Sequence, residues 1–146
     1  MKEISRSAIV EHTAAEMYAL VDDVESYPRF LPWCKDAKAE DVGGKKRATL
    51  VAGLGAIRQS FTTLNDNQPG QSIDMRLVTG PFKHFAAAWR FAPLAESACQ
   101  VEFSLRYEFA SRALAKLLEP LFDQIADTMV DAFTRRADEI HGRNPR

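Results

Sequence analysis

The residue types able to carry acid–base, nucleophilic or metal chemistry are sparse in this chain. They are His12, His84, His141, Cys34 and Cys99, set among twenty Asp and Glu. No histidine falls in an H-x-x-x-H or H-E-x-x-H spacing, so a metal site is not expected. The G-x-S-x-G elbow, the phosphate loop and the dinucleotide fingerprint are absent as well. His12 closes a strand, His84 alternates with Phe85 and so points away from the apolar face, and His141 lies at a frayed terminus. Cys34 follows Trp33 in a loop with only Lys35 as a near cation, a weak reason for thiolate character. Both cysteines are therefore read as small packed hydrophobes. The expectation is a non-enzyme with no catalytic set, no metal and no cofactor.

The elements that would position such residues follow from composition and period. The chain has 146 residues, 46% hydrophobic and 27% charged, with a net charge of −1. That length suits one domain over residues 1–146, with a core large enough to need no disulfide or metal. Near-neutral charge disfavours general nucleic-acid binding, DNA included, while leaving room for a local basic patch. Two cysteines without C-x-x-C spacing point to a reducing cytoplasm. An N-terminus with no apolar leader and no run of about 18 apolar residues argues against export and membrane spans.

Residues 2–11 alternate loosely and predict a strand. Thr13-Ala14-Ala15-Glu16 has the capping-box pattern and opens a helix carrying Met17, Leu20, Val21 and Val24. Residues 25–35, punctuated by Pro28 and Pro32, predict a second short helix and a turn. From about residue 36 to 110 the period is two. Ala48, Leu50 and Ala52 share one face, as do Ile57, Gln59, Phe61 and Thr63. Ile73, Met75 and Leu77 follow, then Phe85, Ala87, Trp89 and Phe91, then Val101 to Phe109. Turn signals at Gly43-Gly44, Gly53 to Gly55, Asn65 to Gly70 and Gly80-Pro81 separate the rows. The last 36 or so residues return to helical period, with an apolar stripe from Leu114, Leu117 and Leu118 through Phe133 to Ile140. Asp123, Asp127 and Asp131 mark an adjacent polar stripe, and Pro120 should start the helix or kink it. The outcome is an α+β fold: a curved antiparallel sheet of about six to seven strands gripping one long C-terminal helix, with two short helices after the first strand. Aromatic rows interrupted by Ala48, Ala52, Gly53 and Ala87 leave room for an apolar cavity between sheet and helix.

The run Tyr27-Pro28-Arg29-Phe30-Leu31-Pro32-Trp33-Cys34 resembles the signature of the coenzyme Q-binding protein / ribosome-association toxin family. Gly80-Pro81-Phe82-Lys83, Trp89-Arg90-Phe91, the Phe103–Phe109 strand and Met129-Val130-Asp131-Ala132-Phe133 extend the likeness over nearly the whole chain. The resemblance implies the START-like helix-grip fold, also called polyketide cyclase-like. One branch of the family binds ubiquinone and supports respiration. The other binds the large ribosomal subunit and blocks subunit joining. No catalytic set transfers. The alanine-rich Phe85-Ala86-Ala87-Ala88-Trp89 departs from the family and is read as enlarging the pocket or changing its ligand.

The leading expectation is binding of a hydrophobic small molecule, a polyprenyl quinone such as ubiquinone, with peripheral contact at the inner membrane. Phe61, Met75, Phe85, Trp89, Phe103, Tyr107, Phe122, Ile125, Met129 and Phe133 are the candidate ligand residues of the sheet and long helix. Tyr27, Phe30, Pro32 and Trp33 are expected at the mouth, and Tyr107 or Trp89 to donate a hydrogen bond to a quinone carbonyl. The rival is a regulator bound to the large ribosomal subunit, for which Lys45-Lys46-Arg47 is the basic candidate. An aromatase/cyclase ranks last, because the inward rows offer only Gln59, Thr63 and Tyr107 as polar groups.

Overall fold

The computed structural model describes residues 1–142. Strand β1 (Lys2–Val10) is followed by helix α1 (Ala14–Asp22) and a 3-10 helix at Val24–Arg29. Six strands come next: β2 (Cys34–Val42), β3 (Lys45–Leu54), β4 (Ile57–Gln68), β5 (Ser72–Thr79), β6 (Phe82–Ala95) and β7 (Ala98–Phe109). Helix α2 (Arg112–His141) closes the described chain. The seven strands form one antiparallel sheet in the order β1-β7-β6-β5-β4-β3-β2. β2 to β7 is a plain meander, and β1 joins the far edge beside β7. The expected helix-grip architecture is therefore present.

Local chemistry explains the elements. Thr13 Oγ1 accepts from the Glu16 N–H at 3.0 Å, and the Glu16 carboxylate accepts from the Thr13 N–H at 2.8 Å. This closes the capping box and starts α1 where the sequence placed it. Gly43 and Gly44 both have positive φ, 58° and 83°, which a two-residue hairpin turn between β2 and β3 requires. β7 is buried at Val101, Phe103, Leu105, Tyr107 and Phe109, and exposed or half-exposed between them.

Four expectations need correction. α2 runs unbroken through Pro120 rather than starting there; Pro120 and Lys116 are both exposed, so the carbonyl that the proline leaves unbonded faces water. Leu117 and Ile140 lie on the solvent side of α2, and Ala126, Val130 and Ala137 are buried instead. Asn65 to Gln68 belongs to β4, not to a turn. Asn65 accepts from Thr63 Oγ1 at 2.7 Å, and Asn67 Nδ2 donates to Asp22 Oδ1 at 2.6 Å, so side-chain partners offset weak strand propensity. His141 is bound rather than frayed, with Nδ1 3.2 Å from Glu16 Oε2.

The polar stripe on α2 has a role that spacing alone did not reveal. Lys2 Nζ lies 2.5 Å from Asp123 Oδ1, and Arg6 Nη2 lies 2.8 Å from Asp127 Oδ1. These pairs fasten α2 along the edge strand β1. At the other end of α2, buried His12 Nε2 meets Asp138 Oδ1 at 2.7 Å. No helix among the described residues is long and apolar enough to cross a membrane.

Candidate functional site

Between the inner face of the sheet and α2 lies an apolar cavity of about 60 Å³. Ala48, Leu50, Phe61, Met75, Phe85, Ala87, Trp89, Phe103 and Leu105 supply its sheet wall. Phe122, Ile125 and Met129 supply the α2 wall, and Val24, Tyr27 and Trp33 close the end formed by the 3-10 helix and its following loop. Sites that hold drug-sized ligands run to about 300–1,000 Å³. Of the alanine run only Ala87 lines the cavity, and aromatic rings occupy the space around it. Phe61 and Phe122 have ring centroids 5.7 Å apart, and Trp89 and Phe103 4.9 Å.

Ten of the expected residues come together here: Tyr27, Trp33, Phe61, Met75, Phe85, Trp89, Phe103, Phe122, Ile125 and Met129. Four do not. Pro32 is exposed on the outer surface. Phe30 is half-buried between the Phe133 ring, 5.1 Å away, and the Arg136 guanidinium, 5.2 Å over its face. Phe133 is fully buried behind the cavity, among Tyr27, Phe30 and Trp89. Tyr107 lies outside the lining, packed with Phe82, Phe109 and the lining residue Phe122. Strand and helical spacing put Tyr107 and Phe133 on the apolar side, but spacing does not say how far along the sheet a cavity extends; Phe30 and Pro32 rested on the resemblance of the Tyr27–Cys34 run.

The polar groups of the cavity differ from those expected. Thr63 and Asn65 face it as a hydrogen-bonded pair, both about 5% exposed. Asn65 was legible, two residues beyond Thr63 in the same row, but its type reads as a turn former. Trp33 lines the cavity, and its indole N–H is buried with no partner among the described residues. Tyr107 also has an unpartnered buried hydroxyl, outside the lining. Gln59 turns away and donates to the Ser60 carbonyl at 2.8 Å.

Burial dominates the titratable groups nearby. It pushes Tyr27 and Tyr107 up from the ordinary phenol value, and the Tyr27 hydroxyl donates to the Val21 carbonyl. It pushes Cys34 up to about 11, opposite to what an activated thiolate needs. Cys34 stands at the start of β2, 4% exposed, and packs as expected. The unfolded thiol ionises near its ordinary 9.0, so between about pH 9 and 11 the folded state retains a proton that the unfolded state has released. Stability is therefore expected to fall as pH rises through that window, by about 2 kcal/mol from this group. Urea unfolding at pH 8, 9 and 10 checks this: Cys34→Ala should flatten the decline, and an unchanged slope would refute the assignment. No group of three or more His, Cys, Asp or Glu among the described residues could hold a metal.

The basic run Lys45-Lys46-Arg47 is divided by the fold. Lys46 Nζ binds the Asp22 carbonyl at 2.7 Å and Asp22 Oδ1 at 2.6 Å, tying the β2–β3 hairpin to the end of α1. Arg47 stands directly across from Glu40.

Residues 10–134 match the family described as polyketide cyclase / dehydrase and lipid transport. The chain belongs to that family. It is 42% identical over 142 residues to the ribosome association toxin RatA of Escherichia coli K12, covering 97% of this chain and 90% of that protein. It is 30% identical to the mitochondrial coenzyme Q-binding protein COQ10 homolog B of Xenopus laevis, over 97% of this chain and 60% of that one. Among solved structures, the Zhui aromatase/cyclase of Streptomyces sp. R1128 superposes with a TM-score of 0.81 at 17% identity, covering 94% and 93% of the two chains, a likeness of fold alone. Family membership and the observed sheet and helix thus agree with the resemblance carried by the Tyr27–Cys34 run.

Proposed function

We propose that this protein is a ribosome-associating regulator of the kind its 42%-identical relatives are named for. The observation that carries the reading is that identity, sustained over 97% of this chain and 90% of the E. coli toxin. The interior is consistent with a role played on the surface, since a cavity of about 60 Å³ cannot seat a quinone ring and its tail without rearrangement. Sucrose-gradient sedimentation of purified protein with separated subunits tests it. Co-migration with the large subunit at moderate salt, and fewer joined ribosomes as protein is added, is the expected result. Protein that stays at the top of the gradient overturns it.

A second reading, an apolar ligand with a hydrogen-bond acceptor, is favoured by one specific feature. Trp33 lines the cavity, and its Nε1 is a buried donor without a partner among the described residues; such a donor gains by meeting a carbonyl. Entry would require α2 or the Tyr27–Cys34 segment to move outward. Trp33→Phe should weaken binding of a short-chain ubiquinone analogue about fivefold, the worth of about 1 kcal/mol, while leaving the thermal midpoint unchanged or higher. Quenching of the remaining Trp89 fluorescence reports the affinity. Wild-type protein that gives no quenching removes this reading.

A further inference from the structure

We infer that Arg29, Lys35 and Arg58 form a contact surface for the phosphate backbone of RNA, at the end of the sheet where β3 turns into β4. The inference rests on the ribosome-directed reading and adds the place and the chemistry of contact. Of the fourteen other Lys and Arg among the described residues, eight are paired: Lys2, Arg6, Lys46, Lys83, Arg90, Arg106, Arg135 and Arg136 each lie within ion-pair distance of a carboxylate. Lys35 and Arg58 are held differently. Lys35 Nζ donates to the Pro32 carbonyl at 3.0 Å, and Arg58 Nη1 donates to the Gly55 and Ile57 carbonyls at 2.8 and 3.1 Å. Backbone carbonyls thus fix the two side chains without cancelling their charge.

Gly53 lets them converge. A Cβ on Gly53 would stand 2.7 Å from Arg58 Nη1 and 3.0 Å from Lys35 Cε, so the two side chains lie side by side over a residue with no side chain of its own. The Gly53 N–H donates to the Trp33 carbonyl at 2.8 Å, which fixes the strand beneath them to the loop that carries Pro32. Lys35 also lines, with Arg29, a surface groove past Pro28, Phe30 and Pro32. All three cations are exposed. Asp36, the carboxylate next in the chain, makes no ion pair with them among the described residues.

The shape selects the partner. The cations spread over an open sheet end rather than converging in a pocket, which suits a polyanion that presents successive phosphates more than a single small anion. A lipid surface would also need large apolar side chains beside the charges, and the most exposed ones, including Ile9, Leu94 and Leu117, belong to other elements.

The test compares K35E/R58E with the charge-matched K45E/R47E at the opposite end of β3, after melts show both variants folded. Wild-type and variant proteins are titrated against ribosomes, against a labelled RNA duplex and against anionic phosphatidylglycerol vesicles. K35E/R58E should bind ribosomes and duplex at least about tenfold more weakly at 0.1 M salt, with a salt slope lower by about 2. K45E/R47E should stay within about twofold of wild type. Unchanged binding by K35E/R58E, or equal losses in the two variants, overturns the surface and leaves the ribosome reading standing. Wild type that binds the duplex through Lys35 and Arg58 but ignores ribosomes overturns the ribosome reading and supports the surface. Wild type that binds no RNA, or binds anionic vesicles in its place, overturns the surface.

Discussion

Phe133→Ala is expected to destabilise the protein by about 3–5 kcal/mol and to lower its thermal midpoint by about 10–15 °C. Phe133 has no exposed surface. Its ring meets Tyr27, Phe30 and Trp89 edge-on, with centroids 5.3, 5.1 and 5.2 Å away. Through these contacts α2 holds both the Tyr27–Cys34 segment and the sheet. Truncation leaves a hole walled by rings on two elements, Tyr27 and Phe30 on the segment after α1 and Trp89 on β6, so collapse into the gap is limited and the cavity cost is retained. Phe30 loses its inner neighbour while still under Arg136, and the end of the cavity near Trp33 should loosen with it. Calorimetry with tryptophan emission checks both effects. A midpoint shift below about 3 °C would mean that the neighbouring rings close the gap.

Asp22→Ala should cost about 2–3 kcal/mol, large for a residue that still touches solvent. Its Oδ1 accepts from Lys46 Nζ and from Asn67 Nδ2, each at 2.6 Å, and its carbonyl accepts from Lys46 at 2.7 Å. One carboxylate therefore joins α1 to β3 and β4, and both donors are partly shielded from water when it is removed. Asp22→Asn, which keeps an acceptor but not the charge, should cost about half as much. The effect should persist at high salt, because screening weakens partly buried pairs much less than exposed ones. Denaturant unfolding at low and high salt measures it. A loss below about 0.5 kcal/mol would place Asp22 with ordinary surface ion pairs.

Much of the fold was legible because its determinants are local. The Thr13–Glu16 box, the Gly43-Gly44 turn and the alternation from Val101 to Phe109 each act within a few residues. Boundaries failed where a long-range partner overrode local preference. Asn65 and Asn67 read as turn formers until Thr63 and Asp22 are placed beside them. Pro120 reads as a break until its face of α2 proves to be the wet one. His141 reads as a loose end until Glu16, on a different helix, is found within reach.

The candidate site divides along the same line. The apolar character of the inner face, and therefore eight of the residues around the cavity, followed from residue type and period, while Tyr27 and Trp33 followed from the resemblance. That the cavity is only about 60 Å³ did not, because free volume depends on how rings from separate elements interlock. Charge followed the same rule. The sequence by itself determined a balance of −1 and a basic triplet at Lys45–Arg47. Only the tertiary structure decided that Lys46 is committed to Asp22, while Lys35 and Arg58, distant from each other in the chain, meet over Gly53 with no carboxylate partner among the described residues. Net charge is a sum over residues. A contact surface depends on which charges remain unpaired once long-range neighbours are in place, and the fold sets that.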